Sequence, residues 1–504
     1  MKPSFFGSRE DLSIVLRDLG RVMPVVGVMA LASLFVPIVY RESYAILPLV
    51  LTAAAAFSLA LALYLPFRRA PEPQLRHAMI GASLAWLILP AFGALPFVLC
   101  ALWAGGGTTA ANLAAFRDPA NAFFESMSGF TGTGLSVAPR ADFLPHTLQW
   151  WRSFTEWVGG LGVVVVVLSI LSGPRPGAAL YSMYYAEART ERIQPTIRST
   201  VRALWWILFL FTAVSMALQW RLGTPIWQAA NHAMTAVATG GFCVTAPDAA
   251  PYANVGVMIV LMVSMFAGAI SFSVHYAALG GGWRKLFSDY QTRAYIGFVL
   301  VGIAFLTLEN LSRSGPLAAF RDSAFHFVSA ASTTGFQTPA LLTWSETAKL
   351  LLAAGMFIGG AAGSTAGGIK IIRLVVLLKG LQWRFRQILS PRRAVIPFRI
   401  GQTTIADEDV GGRLEDAALM LFLWAAFIVV GVVVLLHTAP PQFSLADMVL
   451  EVASAQGNSG LSTGITGPQM ALAGKMALCF NMWVGRLEII PILILIRSLL
   501  VRRR

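Results

Sequence analysis

Four segments rich in glycine and hydroxyl side chains share one order of residue types. Each begins with Glu or His, carries Ser or Thr three residues later, and closes with Gly followed by Leu or Phe. They are residues 125–135, 232–242, 326–336 and 451–461. Glycine permits backbone conformations that turn successive carbonyl groups to one side, and rings of carbonyl oxygens can replace the water around an ion. The pattern therefore predicts main-chain coordination of a dehydrated monovalent cation.

The residues expected to supply these carbonyl oxygens lie at the end of each segment. They are Gly132, Thr133 and Gly134; Thr239, Gly240 and Gly241; Thr333, Thr334 and Gly335; and Asn458, Ser459 and Gly460. These loops contain no carboxylate, whereas a divalent-selective pore is expected to carry a ring of Asp or Glu. Potassium is therefore the ion we expect, and potassium at these residues is the only metal ion predicted for the chain.

A second landmark follows each closing glycine by about 25 residues and places an aromatic side chain two positions before a glycine. Its four copies are residues 157–160, 266–269, 357–360 and 483–486. Two landmarks in four copies indicate an internal repeat of span, short pore helix, loop and second span. We expect each pore helix to begin near the Glu or His and to direct its partly negative C-terminal end toward the ion.

Long apolar stretches place these repeats in a membrane. Of the 504 residues, 56% are hydrophobic and only 12% are charged, whereas soluble domains carry about 25% charged residues. Stretches of membrane length fall at residues 22–40, 45–66, 79–103, 148–171, 203–220, 256–279, 294–309, 347–377, 416–437 and 470–499. The predicted fold class is an all-α polytopic membrane protein of about ten spans. Four M1–P-loop–M2 repeats would surround one pseudo-fourfold pore, after two N-terminal transmembrane helices.

The division of the chain follows from these repeats. We expect an N-terminal two-helix membrane unit at residues 1–70 and pore repeats at 71–175, 176–282, 283–380 and 381–504, the last with a preceding cytoplasmic segment. Basic residues cluster in alternate connections, so the positive-inside rule predicts that these connections and both termini are cytoplasmic. The same distribution argues against nucleic-acid binding, because the basic residues do not share one polar face.

The second span of the third repeat is unusually rich in small residues. These are Gly359, Gly360, Gly363, Ser364, Thr365, Gly367 and Gly368. Glycine weakens a helix by up to about 1 kcal/mol per residue, and here the glycines cover all helix faces. We therefore predict a loop below the filter that acts as a gate; the alternative is tight packing of a small-residue helix. Lys370 ends this stretch and either anchors the loop or extends to the cytoplasmic interface.

The fourth repeat has Arg486 where the other repeats have Gly160, Ala269 and Gly360. An arginine in mid-membrane costs at least about 2.5–3.5 kcal/mol and is functional by default. We therefore predict that Arg486 faces the pore and raises the barrier to cations beneath the filter. The alternative is a structural ion pair with Glu488, the nearest acidic residue in the sequence.

The four loops, residues 359–370 and residues 485–489 resemble the Trk/Ktr/HKT superfamily of potassium transporters. The resemblance is closest to the TrkH/TrkG-type pore subunits of bacterial potassium uptake. It implies potassium transport across the bacterial inner membrane by a homodimer with one pore per subunit, and a loop that occludes each pore. It also implies a cytoplasmic TrkA-type ring as partner. The regulatory nucleotide, NAD or ATP, is expected on that partner, with no cofactor on this chain.

Two other functions are alternatives to potassium transport: sodium transport by a related transporter, and catalysis by an intramembrane enzyme. A sodium-permeable or sodium/potassium co-transporting relative belongs to the same superfamily, and Gly134 argues against it because serine there accompanies sodium transport in plant HKT relatives. Whether potassium moves through a channel or by proton- or sodium-coupled symport is left open by the sequence. An intramembrane enzyme would need a polar dyad within the spans, and the chain has no HExxH and no GxSxG on a span. We therefore expect no enzymatic activity.

Overall fold

The structure is a computed structural model that describes residues 9–104, 108–162, 197–245, 254–391, 394, 396–401 and 403–500. Within these residues the regular structure is almost entirely helical, and the strands form only two two-stranded pairs. Six of the described helices are long and apolar enough to cross a membrane, and two bent helix pairs meet the same test. The predicted all-α polytopic membrane architecture is therefore confirmed.

Two spans precede the first repeat, as expected. The first, Glu10–Val39, comprises helices Arg9–Val22, Pro24–Ala32 and Phe35–Val39; the second, Ser43–Tyr64, comprises a 3₁₀ turn at Ser43–Ala45 and helix Ile46–Tyr64. The first span begins before the predicted residue 22, because the charged start of the chain is also helical. Its charges are satisfied inside the protein, where Arg17 Nε lies 2.9 Å from Asp18 Oδ1.

Each repeat contains a leading helix, a pore helix and a trailing helix, numbered here by repeat. The leading helices are Leu75–Gly93 with Leu95–Trp103, Ile197–Arg221, Tyr290–Asn310 and Asp407–Thr438. The pore helices are Pro119–Thr131, Ile226–Val237, Pro316–Ala331 and Leu445–Gly457. The trailing helices are His146–Leu161, Val255–Ala269 with Phe272–Gly281, Glu346–Phe357 with Ile371–Leu389, and Leu472–Leu487 with Ile490–Leu500. Short helices and 3₁₀ turns connect them at Thr108–Leu113, Ala114–Arg117, Ala141–Phe143, Arg284–Ser288 and Pro339–Thr343.

The trailing helices are interrupted in the second, third and fourth repeats. The two segments meet at 104° in the second repeat and at 116° in the fourth. Ser271 caps the new segment in the second repeat, and Glu488 and Ile489 take left-handed φ values of +57° and +71° in the fourth. The sequence predicted an interruption only in the third repeat, because only that repeat has a run of glycines. The first trailing span was predicted to reach residue 171, and its part after Gly162 lies outside the described residues.

Two short strand pairs flank the second segment of the third trailing helix. Strand Ile358–Gly359 pairs in parallel with Ile369–Lys370 and closes the interrupting loop. Strands Phe398–Ile400 and Thr403–Ile405 form an antiparallel hairpin. The hairpin packs on the helix through Trp383, whose Nε1 donates to the Ile396 carbonyl at 2.8 Å. The predicted division of the chain into units at residues 70, 175, 282 and 380 stays a prediction.

Candidate ion pathway

The four pore helices end in the same backbone conformation. The residue at or just after each helix end is left-handed, with φ of +67° at Gly132, +53° at Thr239, +54° at Thr333 and +53° at Asn458. The amide of the next residue donates to a carbonyl five residues earlier, at 2.8, 2.8, 2.9 and 2.9 Å in repeats one to four. The closing glycines then have φ of +82°, +84°, +92° and +98°, a region that L side chains rarely adopt.

The four closing glycines pack against one another in a closed ring. A Cβ on Gly134 would overlap the carbonyl oxygen of Gly240, and one on Gly241 would overlap that of Thr334. A Cβ on Gly335 would overlap the carbonyl oxygen of Ser459, and one on Gly460 would overlap that of Thr133. Each repeat therefore contacts the next, and the fourth contacts the first. All four closing glycines line one cavity.

The pore helices begin six to ten residues before the position that the sequence predicted. Asp118 caps the first by accepting from the Ala120 amide at 2.9 Å, and Ser444 forms a capping box with Asp447 at the fourth. Proline follows the cap in the first and third helices, where its missing N–H costs no hydrogen bond. The Glu and His residues consequently lie within the helices, so their predicted place at the helix starts is wrong.

The same Glu and His residues bind the chain that returns from each loop. Glu125 accepts from the Ser136 hydroxyl and the Val137 amide, both at 2.8 Å. Glu451 accepts in the same way from Ser462 at 2.8 Å and Thr463 at 3.1 Å. His326 Nε2 accepts from the Thr338 amide at 3.1 Å, and His232 Nε2 lies 3.3 Å from Cys243 Sγ. In every repeat this side chain therefore links the pore helix to the segment 11 or 12 residues later.

Arg152 is a buried cation beside these segments that the sequence analysis did not single out. Its Nε lies 2.6 Å from Glu125 Oε1, and the two side chains are 1% and 0% exposed. It also donates to the Cys243 carbonyl at 3.1 Å and lies over the Phe242 ring. Arg152 thus ties the first repeat to the second. The sequence does contain a signal for Arg152, because a charged residue within a predicted membrane span is functional by default.

The landmark glycines let the trailing helices approach the pore-helix ends. A Cβ on Gly159 would overlap the Phe130 carbonyl oxygen, and one on Gly485 would overlap that of Gln456. In the second repeat, Gly268 meets the Val237 carbonyl in the same way. The third repeat differs, because Gly359 contacts its own interrupting loop at Gly367.

The interrupting loop, residues 359–370, contacts three repeats close to their filter segments. Thr365 Oγ1 contacts the carbonyls of Val237 and Gly268 at 3.2 and 2.9 Å, and Thr239 Oγ1 donates to it at 3.1 Å. The Gly367 amide donates to Thr333 Oγ1 at 2.7 Å. A Cβ on Gly367 would also overlap the carbonyl oxygen of Gly457, in the fourth repeat.

The other loop residues hold the loop in shape. Gly363 and Gly368 have φ of +77° and +68°, and a Cβ on Gly360 would overlap the Ala269 carbonyl oxygen. The Ser364 hydroxyl donates to the Ala361 carbonyl at 2.7 Å. Lys370 Nζ donates to the Ala366 carbonyl of the same loop, and its predicted role stays a prediction.

Arg486 connects the fourth repeat to the first and lines a cavity together with the loop. It donates to the carbonyls of Gly159 and Gly160, the latter at 3.1 Å, and its guanidinium carbon lies 5.2 Å from the centre of the Trp86 ring. The cavity is also lined by Gly363, Ser364, Gly367, Gly368 and Lys370. Glu488, the predicted alternative partner, is paired with Arg373.

The chain is similar to known cation transporters over almost its whole length. The family model for TrkH, a cation transport protein, matches residues 49–501. An uncharacterized cation transporter of Methanocaldococcus jannaschii is 32% identical over 98% of this chain and 97% of its own. The Trk system potassium uptake protein TrkH of Vibrio parahaemolyticus is 29% identical, over 96% and 98% respectively. The crystal structure of the potassium transporter TrkH from Vibrio parahaemolyticus matches with a TM-score of 0.80 and 26% identity, covering 96% of this chain and 98% of that one.

Proposed function

The chain belongs to the TrkH family of cation transport proteins, and from that premise we propose that it is the pore-forming subunit of a Trk-type potassium uptake system. The observation that carries this function is the closed ring of four closing glycines around one cavity. Relatives that match over most of their length are potassium uptake proteins. We assign the chain to the bacterial inner membrane, with both termini in the cytoplasm.

The selectivity filter in this proposal consists of main-chain carbonyls from the four loops. Its residues are Gly132, Thr133 and Gly134; Thr239, Gly240 and Gly241; Thr333, Thr334 and Gly335; and Asn458, Ser459 and Gly460. Their repeated backbone conformation supports equal contributions from the four repeats. The carbonyl ends of the four pore helices add a partial negative charge toward the same region, which favours a cation there.

The gate in this proposal is the interrupting loop together with Arg486. The loop residues are Gly359, Gly360, Gly363, Ser364, Thr365, Gly367, Gly368 and Lys370. Contacts of the loop with the second, third and fourth repeats support a position that blocks the pathway. Opening requires these hydrogen bonds to break. Glycine lowers the cost of rearranging the loop, because it adopts left-handed and extended backbone equally well.

Removing the Thr365 hydroxyl is expected to increase potassium flux through the protein. Thr365→Val keeps the shape of the side chain but removes the donor to the Val237 and Gly268 carbonyls. The two carbonyls share the single hydroxyl hydrogen, so the closed loop loses about one hydrogen bond, or ~1 kcal/mol, and initial rates of rubidium uptake into proteoliposomes should rise by about threefold to fivefold. Ser364→Ala is the matched control, because within the described residues the Ser364 hydroxyl bonds to the Ala361 carbonyl of the same loop and not to another repeat. Equal rates in both variants would count against the gating role of these contacts.

Potassium uptake itself is tested with purified protein in liposomes. Uptake of radioactive rubidium should be inhibited by external potassium at much lower concentrations than by external sodium. Equal competition by sodium would instead favour the alternative, a sodium-permeable or sodium/potassium co-transporting relative. Imposed proton and sodium gradients in the same vesicles separate symport from a channel. An uptake rate that follows neither gradient identifies a channel.

The proposed assembly is a homodimer, with one pore per subunit, that binds a cytoplasmic TrkA-type ring. The ring would carry the regulatory nucleotide, NAD or ATP. The described cytoplasmic-side features suited to docking are the hairpin at Phe398–Ile405 and the second segment of the third trailing helix, which is continuous with the gate loop. Complementation of a potassium-uptake-deficient bacterium, with and without such a partner, tests whether the ring is required.

A further inference from the structure

Glu156 is a buried carboxyl group behind the filter segment of the second repeat. It belongs to the first trailing helix, and its side chain is fully buried. Its Oε2 accepts a hydrogen bond from the Phe242 amide at 3.0 Å. A Cβ on Gly240 would approach the carboxyl carbon to 2.5 Å. Glu156 therefore contacts the residues on both sides of the closing glycine Gly241, from the neighbouring repeat.

Glu156 departs from the fourfold pattern of the other repeats. The residue before the aromatic landmark is Met265, Met356 or Met482 in repeats two to four, and each is fully buried. Even a neutral carboxyl group costs more free energy to bury than a thioether, because it has more hydrogen-bonding groups to satisfy. Among the residues that the structure describes, Glu156 Oε1 has no hydrogen-bond partner. Packing alone therefore does not explain a carboxyl group at this position.

The second repeat, like the first, lacks a side-chain hydrogen bond to its closing glycine that the third and fourth repeats have; among the described residues the Ser128 hydroxyl of the first repeat has no partner. The hydroxyls of Ser329 and Ser454 accept hydrogen bonds from the amides of their closing glycines, at 3.0 and 2.9 Å. At the equivalent position in the second repeat, the Thr235 hydroxyl donates to the Phe242 carbonyl at 3.0 Å. Among the described residues, the hydrogen bond from the Phe242 amide to Glu156 is therefore the one in which a side chain accepts from a backbone amide of residues 239–242.

We propose that Glu156 is a positioning residue that determines how strongly the second filter segment discriminates potassium from sodium. By holding the Phe242 amide, it fixes the filter segment whose carbonyls at Thr239 and Gly240 face the ion in the proposed function. Sodium is smaller than potassium, so carbonyls must move inward to coordinate it, and a braced segment resists that movement. Groups behind a binding site commonly set the geometry of the groups that touch the ligand. The inference rests on the proposed potassium-uptake function.

The test measures the potassium and sodium concentrations that halve rubidium uptake into proteoliposomes. Glu156→Met copies the other three repeats and should lower the potassium-over-sodium preference at least about fivefold, equivalent to ~1 kcal/mol or one hydrogen bond. Glu156→Gln retains an acceptor oxygen and should stay within about twofold of the wild type. Met265→Leu, a volume-conserving change at the equivalent position, is the matched control and should leave the preference unchanged.

A second variant tests the inference by introducing the serine hydroxyl that bonds the closing glycine in the third and fourth repeats. Thr235→Ser combined with Glu156→Met should recover the potassium preference to within about twofold of the wild type, because the serine can brace Gly241 as in repeats three and four. The inference is overturned if a folded Glu156→Met protein keeps the wild-type preference for potassium over sodium. It is also overturned if Glu156→Gln loses this preference as completely as Glu156→Met. Failure of the wild-type protein to prefer potassium would instead refute the proposed function.

Discussion

Gly241→Ala is expected to lower the rate of potassium uptake at least about tenfold, which corresponds to ~1.4 kcal/mol in the barrier. Gly241 has φ of +84°, and a Cβ there would overlap the Thr334 carbonyl oxygen of the third repeat. A left-handed backbone costs a non-glycine residue about 1–2 kcal/mol, and the overlap adds to that cost. The second filter segment must therefore move, and either its own carbonyls or the Thr334 carbonyl are displaced from their positions around the ion pathway.

Gly467→Ala is the control for this substitution, because a Cβ at Gly467 would meet no atom within 4 Å. Its uptake rate and its ratio of potassium to sodium inhibition should match the wild type. Both variants are compared as folded protein, by gel filtration and thermal unfolding in detergent. Wild-type uptake and selectivity in a folded Gly241→Ala protein would contradict a filter that depends on close contact between repeats.

Arg486→Gln is expected to raise potassium flux about tenfold to twentyfold. Glutamine is shorter than arginine and keeps a polar N–H group but carries no charge, so the substitution removes the positive charge beside the Gly159 and Gly160 carbonyls. At an effective dielectric constant of about 20, a fixed positive charge about 10 Å from a potassium ion raises its energy by about 1.7 kcal/mol. Initial rates of rubidium uptake into proteoliposomes, normalised to the amount of incorporated protein, measure the change.

Arg486→Lys separates the charge of this side chain from its hydrogen bonds. Lysine keeps the positive charge, so its flux should remain within about twofold of the wild type. If Arg486→Gln and Arg486→Lys both leave the flux unchanged, the role of Arg486 is structural. The contacts with the first repeat and with the Trp86 ring would then be its whole contribution.

The ring of closing glycines could be predicted from the sequence because the backbone at those positions tolerates almost no other residue. Gly134 and Gly335, for example, combine a positive φ with contact against the next repeat, so glycine has to appear in each copy. The left-handed residues at the helix ends were not predictable in the same way. Thr239, Thr333 and Asn458 take that conformation without being glycine, held by hydrogen bonds and neighbours that no local pattern records.

The missed features depend on contacts between residues distant in the chain. The partner of Arg152 is Glu125 and that of Glu156 is the Phe242 amide, 27 and 86 residues away. The pore helices begin earlier than predicted because the residues that cap the first and fourth are Asp118 and Ser444, and not Glu125 and its equivalents. The bends at residues 270–271 and 488–489 have no glycine run to mark them.

Anomalous diffraction from crystals grown in rubidium tests the proposed filter most directly. Rubidium has the charge of potassium and a similar radius, and its anomalous signal locates the ion independently of the protein atoms. We predict anomalous peaks on the axis enclosed by Gly134, Gly241, Gly335 and Gly460, in contact with the carbonyls that precede them. The protein in these crystals must be competent for transport. If it is, and no anomalous peak lies on this axis, the proposed coordination by main-chain oxygens is contradicted.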